Sequence, residues 1–107
     1  MPRRYSLTLA PTAYACLRRI RDGKLLGEIA KAIDGLAEEP AEQGRPLDPP
    51  LEGVHSARAA RERYRILYEI DDASANVSVL FVGKRRPGSE SDVYATAARL
   101  LAVLLQK

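Results

Sequence analysis

Tyr64-Arg65-Ile66-Leu67-Tyr68-Glu69-Ile70, then Asp71-Asp72-Ala73-Ser74, then Val77-Ser78-Val79-Leu80-Phe81-Val82 is the stretch whose reading decides the architecture. Its first part alternates: Tyr64, Ile66, Tyr68 and Ile70 share one face of a strand, and Arg65, Leu67 and Glu69 share the other. The acidic turn closes a hairpin. Its last part is apolar on both sides, the pattern of an interior strand with cover on both faces. The hairpin therefore sits inside a sheet packed on two sides, and the flanking sequence has to supply the cover.

Upstream, residues 3–9 again alternate, with Tyr5, Leu7 and Leu9 opposite Arg4, Ser6 and Thr8, which predicts a half-buried first strand. After Pro11-Thr12 the apolar positions Tyr14, Leu17 and Ile20 recur at helical spacing until Asp22-Gly23, read as the stop. From Lys24, the positions Leu25, Leu26, Ile29, Ile33, Leu36 and Ala37 mark a second helical face closed by Pro40. Residues 40–53, with Pro40, Gly44, Pro46, Pro49, Pro50 and Gly53, read as a loop. A short strand is expected at about 54–59. Downstream, Pro87-Gly88 and Ser89 introduce a helix from about Glu90, with Val93, Ala97, Leu100, Leu101 and Leu104 as its apolar stripe. The predicted class is α+β, a single domain over residues 1–107: N-terminal strand, helical hairpin, three-stranded antiparallel meander, C-terminal helix.

Bulk properties narrow the chemistry. A chain of 107 residues, 46% of them hydrophobic, suits one core and one site. The net charge of +3 is too mild to argue for nucleic acid by its total alone. Cys16 is the only cysteine, so neither an internal disulfide nor a cysteine-rich metal site is expected, and a reducing, cytoplasmic setting fits best. No apolar run approaches the roughly 20 residues that span a bilayer, and the first residues lead into a strand pattern instead of a signal-peptide core. P-loop, zinc-ligand and Gly-x-Ser-x-Gly spacings are absent, so no metal or cofactor is expected.

The positive charge is local. Arg58, Arg61, Arg63 and Arg65 stand against one acid, Glu62, and the next strand ends in Lys84-Arg85-Arg86. Pairing the two strands through the Asp71-Asp72 turn brings Arg65 beside Arg85. Adjacent guanidiniums suit a phosphate, although arginines on strands commonly just solvate a face or pair with Glu62, Glu69, Asp71 or Asp72. Tyr94, early in the last helix, is placed either to stack on a base or simply to pack beside Val93 and Ala97. His55 is the only histidine and a candidate general base, but with no second group at telling spacing it reads as a loop or strand-edge residue. Cys16 reads as a small buried hydrophobe.

Tyr64-Arg65-Ile66-Leu67-Tyr68-Glu69-Ile70, Val79-Leu80-Phe81-Val82-Gly83-Lys84-Arg85 and Asp92-Val93-Tyr94 together resemble the C-terminal half of RelE-type toxins in the RelE/ParE superfamily. The likeness is strongest over 64–104; the helical hairpin and the proline loop match in pattern only. The resemblance implies a type II toxin-antitoxin component: a ribosome-dependent endoribonuclease that cuts mRNA by metal-free attack of the ribose 2′-hydroxyl on the adjacent phosphate. It implies Arg65 stabilising transition-state charge, Arg85 assisting the leaving group or phosphate, and Tyr94 orienting the nucleotide, with Arg58, Arg61, Lys84 and Arg86 binding RNA. One departure concerns the strand before Tyr64, where such toxins often carry lysines. Here Ser56-Ala57-Arg58-Ala59-Ala60-Arg61 offers only guanidiniums, which stay protonated and make poor bases. Lys84, His55 and Glu62 are the substitutes the sequence offers, and it selects none of them.

Two other functions fit the same residues: a ParE-like inhibitor of DNA gyrase, which needs no phosphodiester chemistry, and a catalytically inert binding module. The resemblance also implies an antitoxin partner beside ribosome and mRNA. The apolar end of the last helix, Leu100-Leu101-Ala102-Val103-Leu104-Leu105, would lie partly against the sheet and partly under an antitoxin segment or a second copy, as a hetero-oligomer or a homodimer.

Overall fold

The computed structural model describes residues 4–105, with side chains through Ala102. Met1-Pro2-Arg3 and the side chains of Val103, Leu104 and Leu105 lie outside the described residues, and with them that end of the predicted apolar stripe. The elements run β1 (Ser6–Leu9), α1 (Pro11–Arg18), α2 (Gly23–Gly35), α3 (Pro40–Gln43), β2 (Arg45–Pro46), β3 (His55–Ala59), β4 (Tyr64–Asp71), β5 (Asn76–Lys84) and α4 (Val93–Leu105). The strands form one sheet in the order β1-β5-β4-β3-β2. β1 runs parallel to β5, and all other pairings are antiparallel.

The two-sided apolarity of β5 has a specific cause. Leu67 pairs with Phe81 and Tyr68 pairs with Val79, so Leu80 is an extra residue on β5. A bulge of this kind shifts the side-chain phase. Val77, Val79 and Val82 accordingly pack with Ile66 and Tyr68 against Ala13 of α1, Ile29 and Ile33 of α2, and Leu36 just after it. Leu80 and Phe81 join Leu67 on the opposite face, under Val93, Ala97 and Leu101 of α4. The Leu80 carbonyl takes a hydrogen bond from the Thr12 hydroxyl at 2.5 Å, which ties the start of α1 to the bulge.

Several expectations are corrected. The β1 ladder begins at Ser6, and Arg4 makes only an isolated bridge to Glu38. The buried residue of α1 is Ala13, while Tyr14 is 56% exposed beneath the Arg18 guanidinium. Asp22-Gly23 is a start and not a stop: the Asp22 carboxylate accepts hydrogen bonds from the Lys24 and Leu25 N–H groups and caps α2. The proline segment is partly regular. Pro40 opens the single turn α3, where its missing N–H costs nothing, and Arg45–Pro46 pairs at the sheet edge with Ser56 and His55. Gly44 must be glycine because a Cβ there would stand 2.4 Å from the Ser56 carbonyl oxygen. The last helix begins at Val93, later than Glu90, because Asp92 caps it.

Candidate functional site

α4 covers Leu67 and leaves the start of β4 open on the same face. Period two then fixes which side chains appear in the opening. Arg65 has the parity of Leu67, Arg58 lies directly across from Arg65, and Gly83 lies across on the other side, which puts Arg85 two residues further on that face. The α3 turn and β2 close the far side. The resulting cavity of about 420 Å³ is lined by Glu42, Gln43, Arg45, Ser56, Arg58, Arg65, Arg85 and Tyr94. Four guanidiniums therefore face one carboxylate.

Each cation is held differently. Arg65 donates to two backbone carbonyls, Glu62 at 2.5 Å and Tyr64 at 3.2 Å, and among the described residues its charge meets no carboxylate. Arg58 pairs with the exposed Glu62 at 2.5 Å, an ion pair open to solvent and of little weight. The turn that carries Glu62 is left-handed over Ala60, Arg61 and Glu62, with φ of 50, 58 and 66°. Conformations of this kind cost of order 1 kcal/mol or more each in residues with a Cβ. The Arg58 and Arg65 contacts to Glu62 help hold them.

Arg85 rests on a buried support. Its guanidinium donates to Asp92 at 2.7 Å and lies 4.8 Å from the centre of the Tyr94 ring. Asp92, with a side chain 7% exposed, also accepts from the Arg86 N–H at 2.5 Å and the Tyr94 N–H at 3.1 Å. Burial by itself would raise this carboxyl; the Arg85 side chain and the two N–H donors outweigh it and hold the group below the usual carboxylate value. One carboxylate thus caps α4, aims Arg85 and fixes Tyr94, whose hydroxyl meets the buried Ser56 hydroxyl at 2.8 Å. A guanidinium has five N–H donors, so Arg85 keeps free ones toward the cavity.

Of the residues singled out from the sequence, Arg58, Arg65, Arg85 and Tyr94 come together. Arg61 and Lys84 do not. They lie with Arg63, Lys24 and Tyr64 around a separate cavity of about 340 Å³, because Lys84 pairs with Tyr64 on the α2 face. Arg86 is exposed and lines neither cavity; its described contribution is its backbone N–H. His55 stacks on Tyr68 with ring centres 5.6 Å apart, outside the site, and its Nδ1 is buried without a hydrogen-bond partner. Cys16 is half buried, and burial raises its thiol pKa.

Sequence reasoning passed over Glu42, Arg45, Ser56 and the capping role of Asp92. Glu42 and Arg45 sit in the segment read as a loop. What brings them in is the Tyr68 hydroxyl, pushed up to about 12 by burial, donating to the Pro40 carbonyl at 2.7 Å, and the seat of Gly44 against Ser56. Glu42 in turn raises the carboxyl of the exposed Glu39, by a shared hydrogen bond first and by charge second. Among the described residues no group of three or more His, Cys, Asp or Glu side chains is placed to hold a metal ion, and no helix is long and apolar enough to cross a membrane.

Comparison with known proteins adds a separate line. Residues 7–87 match the family described as ParE toxin of type II toxin-antitoxin system, parDE. Two proteins of Mycobacterium tuberculosis are similar in sequence. Toxin RelE is 34% identical over 82 residues, covering 76% of this chain and 81% of that one. Toxin RelG is 34% identical over 90 residues, covering 84% and 95%. The toxin-antitoxin complex RelBE2 of the same organism contains a chain that superposes with a TM-score of 0.70 at 35% identity, over 77% of this chain and 92% of that chain. The isolated Escherichia coli RelE toxin shares the fold, with a TM-score of 0.64 at 21% identity over 91% of this chain and 98% of that chain.

Proposed function

The chain belongs to the ParE toxin family of type II toxin-antitoxin systems, within the RelE/ParE superfamily, and from that premise we propose that it is an endoribonuclease cutting mRNA on the ribosome. The observation that carries this reading is the convergence of Arg45, Arg58, Arg65 and Arg85 with the Tyr94 ring in one cavity that holds a single carboxylate. A gyrase inhibitor has no need of such a pocket. The relatives named RelE and RelG point the same way.

In the proposed reaction the ribose 2′-oxygen attacks the adjacent phosphorus, the bond from phosphorus to the 5′-oxygen breaks, and a cyclic phosphate and a 5′-hydroxyl result. Glu42 is the lining group suited to take the 2′-proton, since guanidiniums stay protonated. Arg65 and Arg58 face the charge that builds on the phosphoryl oxygens, and Arg85 supports the leaving 5′-oxygen, which water protonates. Tyr94, braced by Ser56, carries a base on its ring. Donors held in place by backbone and by Asp92 need no reorganisation as charge develops. A cognate antitoxin, the kind of partner in the RelBE2 complex, would mask this surface; ribosome and mRNA as further partners, and a cytoplasmic setting, belong to the same nuclease reading.

The test is primer-extension mapping of mRNA ends after brief expression of the natural chain and of Arg85→Ala. Breaks inside reading frames that vanish in the variant are expected. Toxicity that survives both Arg65→Ala and Arg85→Ala, with DNA damage and intact mRNA, would replace this reading by gyrase inhibition.

A further inference from the structure

Arg85 and Tyr94 form a wall with a second cavity on its other side. This recess, about 390 Å³, shares Arg45, Arg85 and Tyr94 with the cationic cavity and is otherwise lined by the proline segment and by Ala95 and Ala98 of α4. Its character is different. Leu47, Pro49, Pro50, Leu51, Ala95 and Ala98 make it apolar, and Asp48 is its one carboxylate.

The recess is preformed. Leu51 and Val54 are buried in the core under α4, and the segment closes on itself through hydrogen bonds from Leu47 to Val54, Leu51 to Asp48 and Val54 to Leu51, at 2.9, 3.0 and 3.1 Å. The Leu51 N–H holds the Asp48 carbonyl, which fixes the backbone at Asp48, one of the residues lining the recess. On the helix side, Ala95 and Ala98 leave room that longer side chains would fill.

We propose that this recess is a nucleobase subsite in which Asp48 reads the base, an inference that rests on the nuclease reading of the adjoining cavity. The two cavities share Arg45, Arg85 and Tyr94, so a nucleotide whose phosphate binds among Arg58, Arg65 and Arg85 would place its base in the recess. Flat apolar walls suit a ring face, as aromatic platforms do in other single-strand binding sites. A carboxylate accepts hydrogen bonds and cannot donate them. It therefore selects bases with N–H donors on the exposed edge, guanine above all, whose Watson–Crick edge carries two adjacent donors. Uracil, rich in acceptors, is disfavoured. A good paired contact to a base edge discriminates between bases, and a preference on the order of tenfold is expected.

Two measurements test this. In the first, breaks in mRNA made by the natural chain are mapped by sequencing and compared with Asp48→Asn and Asp48→Ala. Guanine should be enriched beside the natural breaks, and the enrichment should fall about tenfold in Asp48→Ala. Asp48→Asn, with both a donor and an acceptor, should shift the breaks toward adenine. In the second, binding of the dinucleotides GpG and UpU to the purified protein is measured directly, without any cutting. GpG should bind about tenfold more tightly than UpU, and Asp48→Ala should abolish the difference. Cutting whose sequence distribution ignores both substitutions overturns the subsite and leaves the nuclease reading standing. Asp48-dependent preference in binding by a chain that cuts nothing does the reverse, and equal binding of the two dinucleotides by the natural chain removes the subsite outright.

Discussion

Replacing Asp92 probes fold and site at once, because its carboxylate ties the segment after β5 to the start of α4. It accepts from the Arg85 guanidinium, the Arg86 N–H and the Tyr94 N–H, and its side chain is 7% exposed. Removing one partner of a buried ion pair costs about 3–5 kcal/mol, and a lost helix cap about 1. The Arg85 side chain is 32% exposed, so solvent screens part of the charge. Asp92→Ala is therefore expected to cost about 2–4 kcal/mol, a large share of the roughly 5–15 kcal/mol that holds a small domain together. The melting temperature should fall on the order of 10–20 °C, and Asp92→Asn, which keeps an acceptor but loses the charge, by about half as much. The pH dependence has a definite direction. Because this carboxyl is held below its ordinary value in the folded chain, its contribution is full above about pH 4 and disappears as the pH falls through the folded pKa. Thermal melts of the natural chain and Asp92→Asn should thus differ at pH 7 and converge in acid. A variant melting within about 1 °C of the natural chain at pH 7, or a gap that widens on acidification, would refute the assignment of Asp92 as the support of Arg85 and α4.

Arg65→Ala should lower cleavage by roughly 10²–10³-fold while the melting temperature stays within a few degrees, since Arg65 donates only to carbonyls at the surface; calorimetry beside a cleavage assay reads both. Glu42→Gln should reduce the rate by about 10²-fold or more in a cleavage assay, and an unaltered rate would remove Glu42 as the base. Gly44→Ala drives a Cβ to 2.4 Å from the Ser56 carbonyl oxygen and 2.8 Å from the Tyr68 hydroxyl oxygen, so denaturant unfolding should show a loss of roughly 2–3 kcal/mol or more. Tyr68→Phe leaves the Pro40 carbonyl without its partner; a stability loss of about 1 kcal/mol should come with weaker cleavage, because the turn bearing Glu42 is released.

Where local pattern and tertiary structure agree, the reason is that burial imposes the period. Tyr64–Asp71 alternates because one side meets α1 and α2 and the other meets α4, so the strand was visible residue by residue. Where they part, a single residue serves a distant neighbour. Asp22-Gly23 looks like a helix stop until its carboxylate is seen capping the next helix. The proline run looks structureless until Tyr68 and Ser56 anchor it. The Lys84-Arg85-Arg86 run looks like one patch, yet strand geometry sends Lys84 to the α2 face and Arg85 to the α4 face. That division follows from the period of two.

By itself, the sequence determined the α+β class, the order of the main elements and the meeting of Arg65 with Arg85, because hydrophobic period and hairpin closure are local properties of the chain. Only the tertiary structure decided which cations share a cavity, that Asp92 holds Arg85, and that Glu42 and Asp48 stand beside the Tyr94 wall. Those facts depend on a bulge at Leu80, the start of α4 and the docking of a segment with no period of its own, and each is set by contacts between residues far apart in the chain.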